Sequence, residues 1–179
     1  MCEKEQIDRV EKIGRHGEIN LPIGHYALVN DKYISSKAHI KITIYGLGSC
    51  IALILFDEKC KVCGMSHILL PKANPNKSLR YPHKYADLSV KLLINELISH
   101  GAKKENIQAI VVGGSKIFNL DENSIGINNI EVVKKELEKF KIKIVNKDIG
   151  GSYGRTVIFN TYNYSVLVKL SIENEFRKL

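Results

Sequence analysis

The sequence has no apolar run long enough to cross a membrane. Its longest is Ile51 to Phe56, against the roughly 20 residues that a spanning helix requires. Nor does it open on the apolar stretch of a secretion signal, since M-C-E-K-E-Q-I-D-R is charged. A soluble, cytoplasmic protein with no membrane insertion is expected. Cysteine is scarce, with four residues in 179 (Cys2, Cys50, Cys60 and Cys63). That excludes the dense disulfide framework of a small secreted fold and leaves reduced thiols. No aromatic residues interleave with the lysines as they would on a base-stacking surface. The formal charge of +8 is therefore assigned to solvated helix faces and strand edges, and no nucleic-acid partner is expected. The short G-L-G-S and V-V-G-G-S segments lack the third glycine and the Lys-Ser/Thr of nucleotide loops. No repeat of fixed period is visible.

What is present suffices for one domain, because 44% hydrophobic residues can fill a single core. Residues 1 to about 20 are polar and alternate too little to be a strand, although Ile7, Val10 and Ile13 suit a short amphipathic turn. They are expected to be a loose extension of a domain spanning 21–179. Leu21 to Asn30 has the pattern of a short strand with Pro22 near its start. His39 to Tyr45 alternates, with Ile40, Ile42 and Ile44 on one face. Ile51 to Phe56 suits a strand buried on both sides, and Val62 to Leu70 a third strand that ends at Pro71. Lys72 to His83 is a loop long enough to serve as a lid. Tyr85 to His100 predicts a helix ended by Gly101. Asn106 to Gly114 predicts a strand, and Asn128 caps a second predicted helix running to Phe140. Strands over Lys141–Asp148, Arg155–Asn160 and Ser165–Ser171 complete a count of about eight. Strands that follow one another more often than they alternate with helices predict the α+β class.

The chemistry concentrates between Thr43 and His67. Cys50 closes the bend G-L-G-S-C between two apolar runs, and His67 ends the strand that follows. A thiol and an imidazole on neighbouring strands are the minimum parts of a cysteine nucleophile with its base. In a glycine-rich bend successive N–H groups can converge on an anion, which makes Gly48 and Ser49 candidate oxyanion donors. Such donors would also lower the thiol's pKa. Against these readings, a lone cysteine is often a small buried hydrophobe, and five other histidines compete with His67: His16, His25, His39, His83 and His100. Cys60-x-x-Cys63 could join Cys50 and His67 as zinc ligands, but the second paired element of a zinc ribbon is missing. No metal site is expected.

The blocks G-L-G-S-C-I-A-L-I-L-F-D, C-G-M-S-H-I-L-L-P, V-V-G-G-S-K-I-F, I-G-I-N-N and D-I-G-G-S-Y-G-R-T-V-I-F, in this order and spacing, resemble the CheD family of chemoreceptor glutamine deamidases over roughly residues 21–171. The resemblance implies a two-sheet β sandwich flanked by helices, in αββα layers. It implies that Cys50 is the nucleophile and His67 its partner, in a hydrolase of bacterial and archaeal chemotaxis that needs no cofactor. It also implies chemotaxis receptors as substrates, with glutamine or methyl-glutamate side chains converted to glutamate, and a CheC-type phosphatase as a binding partner.

Two positions depart from the family pattern. The family's threonine six residues before the cysteine is Ile44 here, with Thr43 one residue away and on the opposite face of an ideal strand. The arginine of its I-G-x-R-N block is Asn128. Either a bulge corrects the register at Thr43, or another group orients His67, or the catalytic set is weakened. The last case corresponds to an adaptor that binds receptors or the phosphatase without turnover.

Overall fold

The computed structural model describes residues 17–30, 40–76, 79–117 and 124–179. The turn expected near Ile7 to Ile13, together with Cys2, His16 and His39, lies outside the described residues. Two five-stranded sheets form the fold. The first runs β1 (Glu18–Asn20), β3 (Lys41–Leu47), β8 (Arg155–Asn160), β9 (Val166–Leu170) and β10 (Arg177–Lys178). The second runs β2 (Tyr26–Val29), β5 (Val62–Ile68), β4 (Ile51–Asp57), β6 (Gln108–Gly113) and β7 (Lys143–Ile149). Among the described residues two α-helices accompany them, α1 (Ala86–Ser99) and α2 (Ile125–Lys139).

The centre of the molecule is β4, whose seven residues are all buried. Side chains alternate across a strand, so its run faces two cores. Ala52, Ile54 and Phe56 point between the sheets, with Ile42, Ile44, Val157 and Phe159. Ile51, Leu53 and Leu55 point outward under Val90, Leu93 and Leu97 of α1 and Val133 and Leu137 of α2. Each such aliphatic side chain contributes about 1.5–3 kcal/mol by leaving water. This is the α+β sandwich that the pattern of strands and helices implies. Both helices cover the second sheet, so the described residues form a helix layer and two sheets. The fourth layer, a helix outside the first sheet, has no counterpart among them.

Three local differences from the sequence pattern have physical causes. Glu18–Asn20, expected within a loose extension, pairs in parallel with β3 from Lys41 to Thr43. Three residues are too few to show a period, and β10 at the far edge is shorter still. The helix expected to begin at Asn128 begins at Ile125. A Cβ placed on Gly126 would lie 2.5 Å from the Ser115 carbonyl oxygen. The absence of a side chain thus lets the first turn dock on the end of β6, which extends the helix past the capping signal. Finally, the segment read as one strand from Leu21 splits into a turn at Leu21–His25 and the strand β2.

The loop after β6 is held equally closely. Gly113 has φ +112°, and a Cβ there would meet the Cys50 carbonyl oxygen at 2.2 Å. Strain and collision act together in Gly113→Ala, which is expected to cost about 2–3 kcal/mol. Urea denaturation checks this, and a midpoint equal to that of the parent protein would contradict it.

Candidate active site

Cys50 is the residue immediately before β4, 8% exposed at the edge of the core between the sheets. Three consecutive carbonyls of its bend are engaged from one side. Gly48 O accepts from the Ser115 N–H at 2.9 Å, and Cys50 O from the Gly114 N–H at 2.8 Å. Between them, Ser49 O accepts from Asn129 Nδ2 at 2.9 Å. In a trans peptide the carbonyl and the following N–H point in opposite directions, and no described peptide bond is cis. The engaged carbonyls therefore turn the N–H groups of Ser49 and Cys50 away from the supporting loop. The sequence expectation named Gly48 and Ser49. The planes fixed here are the Gly48–Ser49 and Ser49–Cys50 peptides. The side chain of Ile117 lies over the bend, where a Cβ on Gly48 would be 2.9 Å from its Cδ1.

The ladder between β4 and β5 pairs Ala52 with His67 and Ile51 with Ile68. Cys63 and Met65 face the core between the sheets, and alternation places His67 on that same face. Ser66 faces the other way and accepts a hydrogen bond from Ser89 of α1 at 2.9 Å. Cys50 lies one residue beyond the last rung, so it and His67 are diagonal neighbours on one face. Such neighbours are about 7–8 Å apart along the backbone, within reach of long side chains.

The orienting group for His67 is a backbone carbonyl. His67 Nδ1 lies 3.0 Å from Leu21 O. A carbonyl only accepts, so Nδ1 carries the proton and Nε2 presents its lone pair. The same turn grips the histidine backbone, because Gly24 N donates to His67 O at 2.8 Å and His67 N to His25 O at 3.0 Å. Sequence reasoning missed this partner, since every residue has a carbonyl and no side-chain signal marks it. Asn129 was also missed, although Ile130, Val133 and Leu137 at helical spacing put it on the sheet-facing side.

The shifts of both groups favour their neutral forms. Burial pushes the Cys50 thiol up, and its own backbone N–H acts against that without prevailing. The bend was expected to lower this pKa, but burial outweighs the bend. Burial also lowers His67; the Leu21 carbonyl opposes this, and nearby His25 adds to the lowering.

Of the remaining described histidines, His83 is buried on the helix side of the sheet, with Nδ1 3.1 Å from Ser89 Oγ. Burial pushes it down to about 3. His100 closes α1, and His25 stacks at a tilt on Tyr81 at 5.1 Å. Cys60 packs toward the helices and Cys63 toward the other sheet, so that pair does not converge with Cys50 and His67.

Comparison with known proteins places this chain in a family. The family model described as CheD chemotactic sensory transduction matches residues 69–170. A probable chemoreceptor glutamine deamidase CheD of Clostridium botulinum (strain Eklund 17B / Type B) is 40% identical over 134 residues, covering 73% of this chain and 83% of that protein. The chain belongs to the CheD family. The chemoreceptor glutamine deamidase CheD of Thermotoga maritima is 37% identical over 147 residues, covering 82% of this chain and 88% of its own. That of Halalkalibacterium halodurans is 42% identical over 120 residues, covering 64% and 74%.

Within the CheD family this chain's departures now have locations. Ile44, at the threonine position, is buried between the sheets. Thr43 lies fully buried on the opposite face of β3 and donates from Oγ1 to Glu18 Oε1 at 2.9 Å. A register shift does occur in β3, but between Ile44 and Leu47, which leaves Thr43 on the outer face. Asn128, at the arginine position, is half-buried, and its neighbour Asn129 is fully buried.

The direction of the thiol's shift has a measurable consequence. Alkylation of Cys50 by iodoacetamide should accelerate with pH through a midpoint above the ordinary cysteine value of about 8.5. A midpoint well below that value, in rates followed by mass spectrometry of the Cys50 peptide, would overturn the neutral resting state.

Proposed function

We propose that this chain deamidates glutamine side chains of chemotaxis receptors, with Cys50 as nucleophile and His67 as general base. The observation that carries the proposal is the shared face of a buried thiol and an imidazole whose Nε2 is left basic by the Leu21 carbonyl. The receptor as substrate comes from the relatives named chemoreceptor glutamine deamidase.

In the first step the Cys50 sulfur attacks the carboxamide carbon while its proton passes to His67 Nε2. A carbon–sulfur bond forms, and the carbonyl π electrons move to oxygen. The N–H groups of Ser49 and Cys50 hold that oxyanion, as backbone donors do when fixed in advance. The oxyanion collapses, the carbon–nitrogen bond breaks, and the imidazolium gives its proton to the departing amine, which leaves as ammonia. Water then adds to the thioester with His67 again as base. The carbon–sulfur bond breaks, giving glutamate and restoring the thiol. These steps use only the thiol, the imidazole, backbone donors and water.

The adaptor reading, binding of receptor or CheC-type phosphatase without turnover, drew its support from the missing threonine. Leu21 O supplies the acceptor that His67 Nδ1 requires, which removes that support.

Cys50→Ala should abolish ammonia release from a receptor cytoplasmic fragment, and His67→Gln should slow it about 10²- to 10⁴-fold. Conversion of glutamine to glutamate in the fragment is read by mass spectrometry. Undiminished release from Cys50→Ala would sink the mechanism. The pH profile follows from the sign of the histidine shift. A lowered pKa keeps imidazole neutral to lower pH, so the acid limb of kcat/KM should fall below the ordinary histidine value of about 6.5. A limb above that value would remove His67 as the base.

A further inference from the structure

Asn129 is fully buried, yet its side-chain oxygen has no hydrogen-bond partner among the described residues. A buried polar atom left unpaired costs stability on the order of 1–3 kcal/mol, and one in a native structure calls for an explanation. Its amide nitrogen makes two bonds, to Ser49 O at 2.9 Å and to Leu69 O at 3.0 Å. These carbonyls belong to the two segments that must meet for the reaction, the bend before Cys50 and the end of the His67 strand. No other described side chain hydrogen-bonds both. The bond to Ser49 O also fixes the plane of the Ser49–Cys50 peptide, whose N–H is an oxyanion donor in the proposed mechanism.

We infer that Asn129 is a positioning residue for the deamidation, tying nucleophile bend to base strand and aiming the Cys50 N–H at the developing oxyanion. A leucine or alanine at this place would avoid the unpaired oxygen but leave the Ser49 peptide free to rotate. Both nitrogen hydrogens are used, and polarising the Ser49 carbonyl strengthens the N–H at the other end of the same amide. Asn129 reaches these carbonyls because Gly126, one turn earlier on the same face, lets α2 approach the Gly114–Ser115 backbone. The inference rests on the deamidase reading above.

The test uses the full chain with a receptor fragment as substrate and compares the parent protein with Asn129→Ala and Asn129→Asp. For Asn129→Ala, kcat should fall about 10- to 100-fold, the scale of misplacing a reacting group by a fraction of an ångström to an ångström. KM and the rate of Cys50 alkylation should stay within twofold. Asn129→Asp preserves shape but, once ionised, offers oxygen to two carbonyl oxygens; protonated, it can donate one hydrogen bond. Its kcat relative to the parent should therefore fall as pH rises from 6 to 9, a trend that general loosening of the helix would not produce. Two results overturn the assignment: Asn129→Ala turning over at the parent rate, or Asn129→Asp turning over at the parent rate across that range. If Asn129→Ala does not fold, the Asn129→Asp ratio decides. A parent protein that releases no more ammonia than Cys50→Ala would instead remove the deamidase reading itself.

Discussion

The structure depends on how the bend before Cys50 is held from behind. Three successive carbonyls are engaged, two by the backbone after β6 and one by a side chain of α2. The supporting loop is itself braced by a second glycine-rich segment, through Gly150 N to Gly113 O at 2.9 Å and Lys116 N to Gly151 O at 2.8 Å. Behind that segment stands buried Arg155, which donates to the carbonyls of Gly150 and Tyr153, to Ser115 Oγ and to Asp148. Asp148 also accepts from Arg177 at 2.5 Å in the last strand. A buried ion pair of this kind adds little net stability, but its many directed bonds leave the loop few alternative positions. The support for one thiol thus runs through both sheets.

Burial decides the charge state of the site. An imidazolium–thiolate pair between the sheets would require desolvating two ions, and neither direction of pKa shift favours it. In the proposed mechanism charge then develops only when a carbonyl arrives to accept it and the N–H groups of the bend receive it. A thiol kept protonated is also a slow target for oxidants and alkylating agents. The same burial explains why local sequence misjudged the thiol. Gly-x-Gly-Ser describes nearby donors, whereas desolvation depends on the second sheet, which no local pattern contains.

Much of the frame was legible because periodicity is local. The unbroken run of β4, the alternation in β3 and the position of His67 after the cysteine strand all follow from short windows, and these features place the thiol and the imidazole on one face. What escaped was set by contacts between distant segments. The start of α2 is moved by Gly126 against Ser115, and the three-residue β1 exists because β3 offers it an edge. Both described helices lie over the second sheet because that sheet is apolar on its outer face as well as its inner one. A carbonyl that orients a histidine is invisible in principle, since its position reflects the fold and not the identity of Leu21.

That carbonyl also accounts for how the chain does without the family's threonine. A hydroxyl can donate as well as accept, so it permits either tautomer of the histidine; a carbonyl accepts only and fixes one. Its direction is constrained twice. Pro22 holds Leu21 to extended backbone angles, and the Leu21 N–H donates to Thr43 O at 2.9 Å. Thr43 is therefore tied to the site after all, through its main chain. With its side chain turned to Glu18, it anchors Leu21 beside β3, and Leu21 in turn orients His67. A side-chain partner could be lost from β3 without losing the oriented imidazole, because the strand passes the constraint on through two backbone hydrogen-bonding groups of one residue.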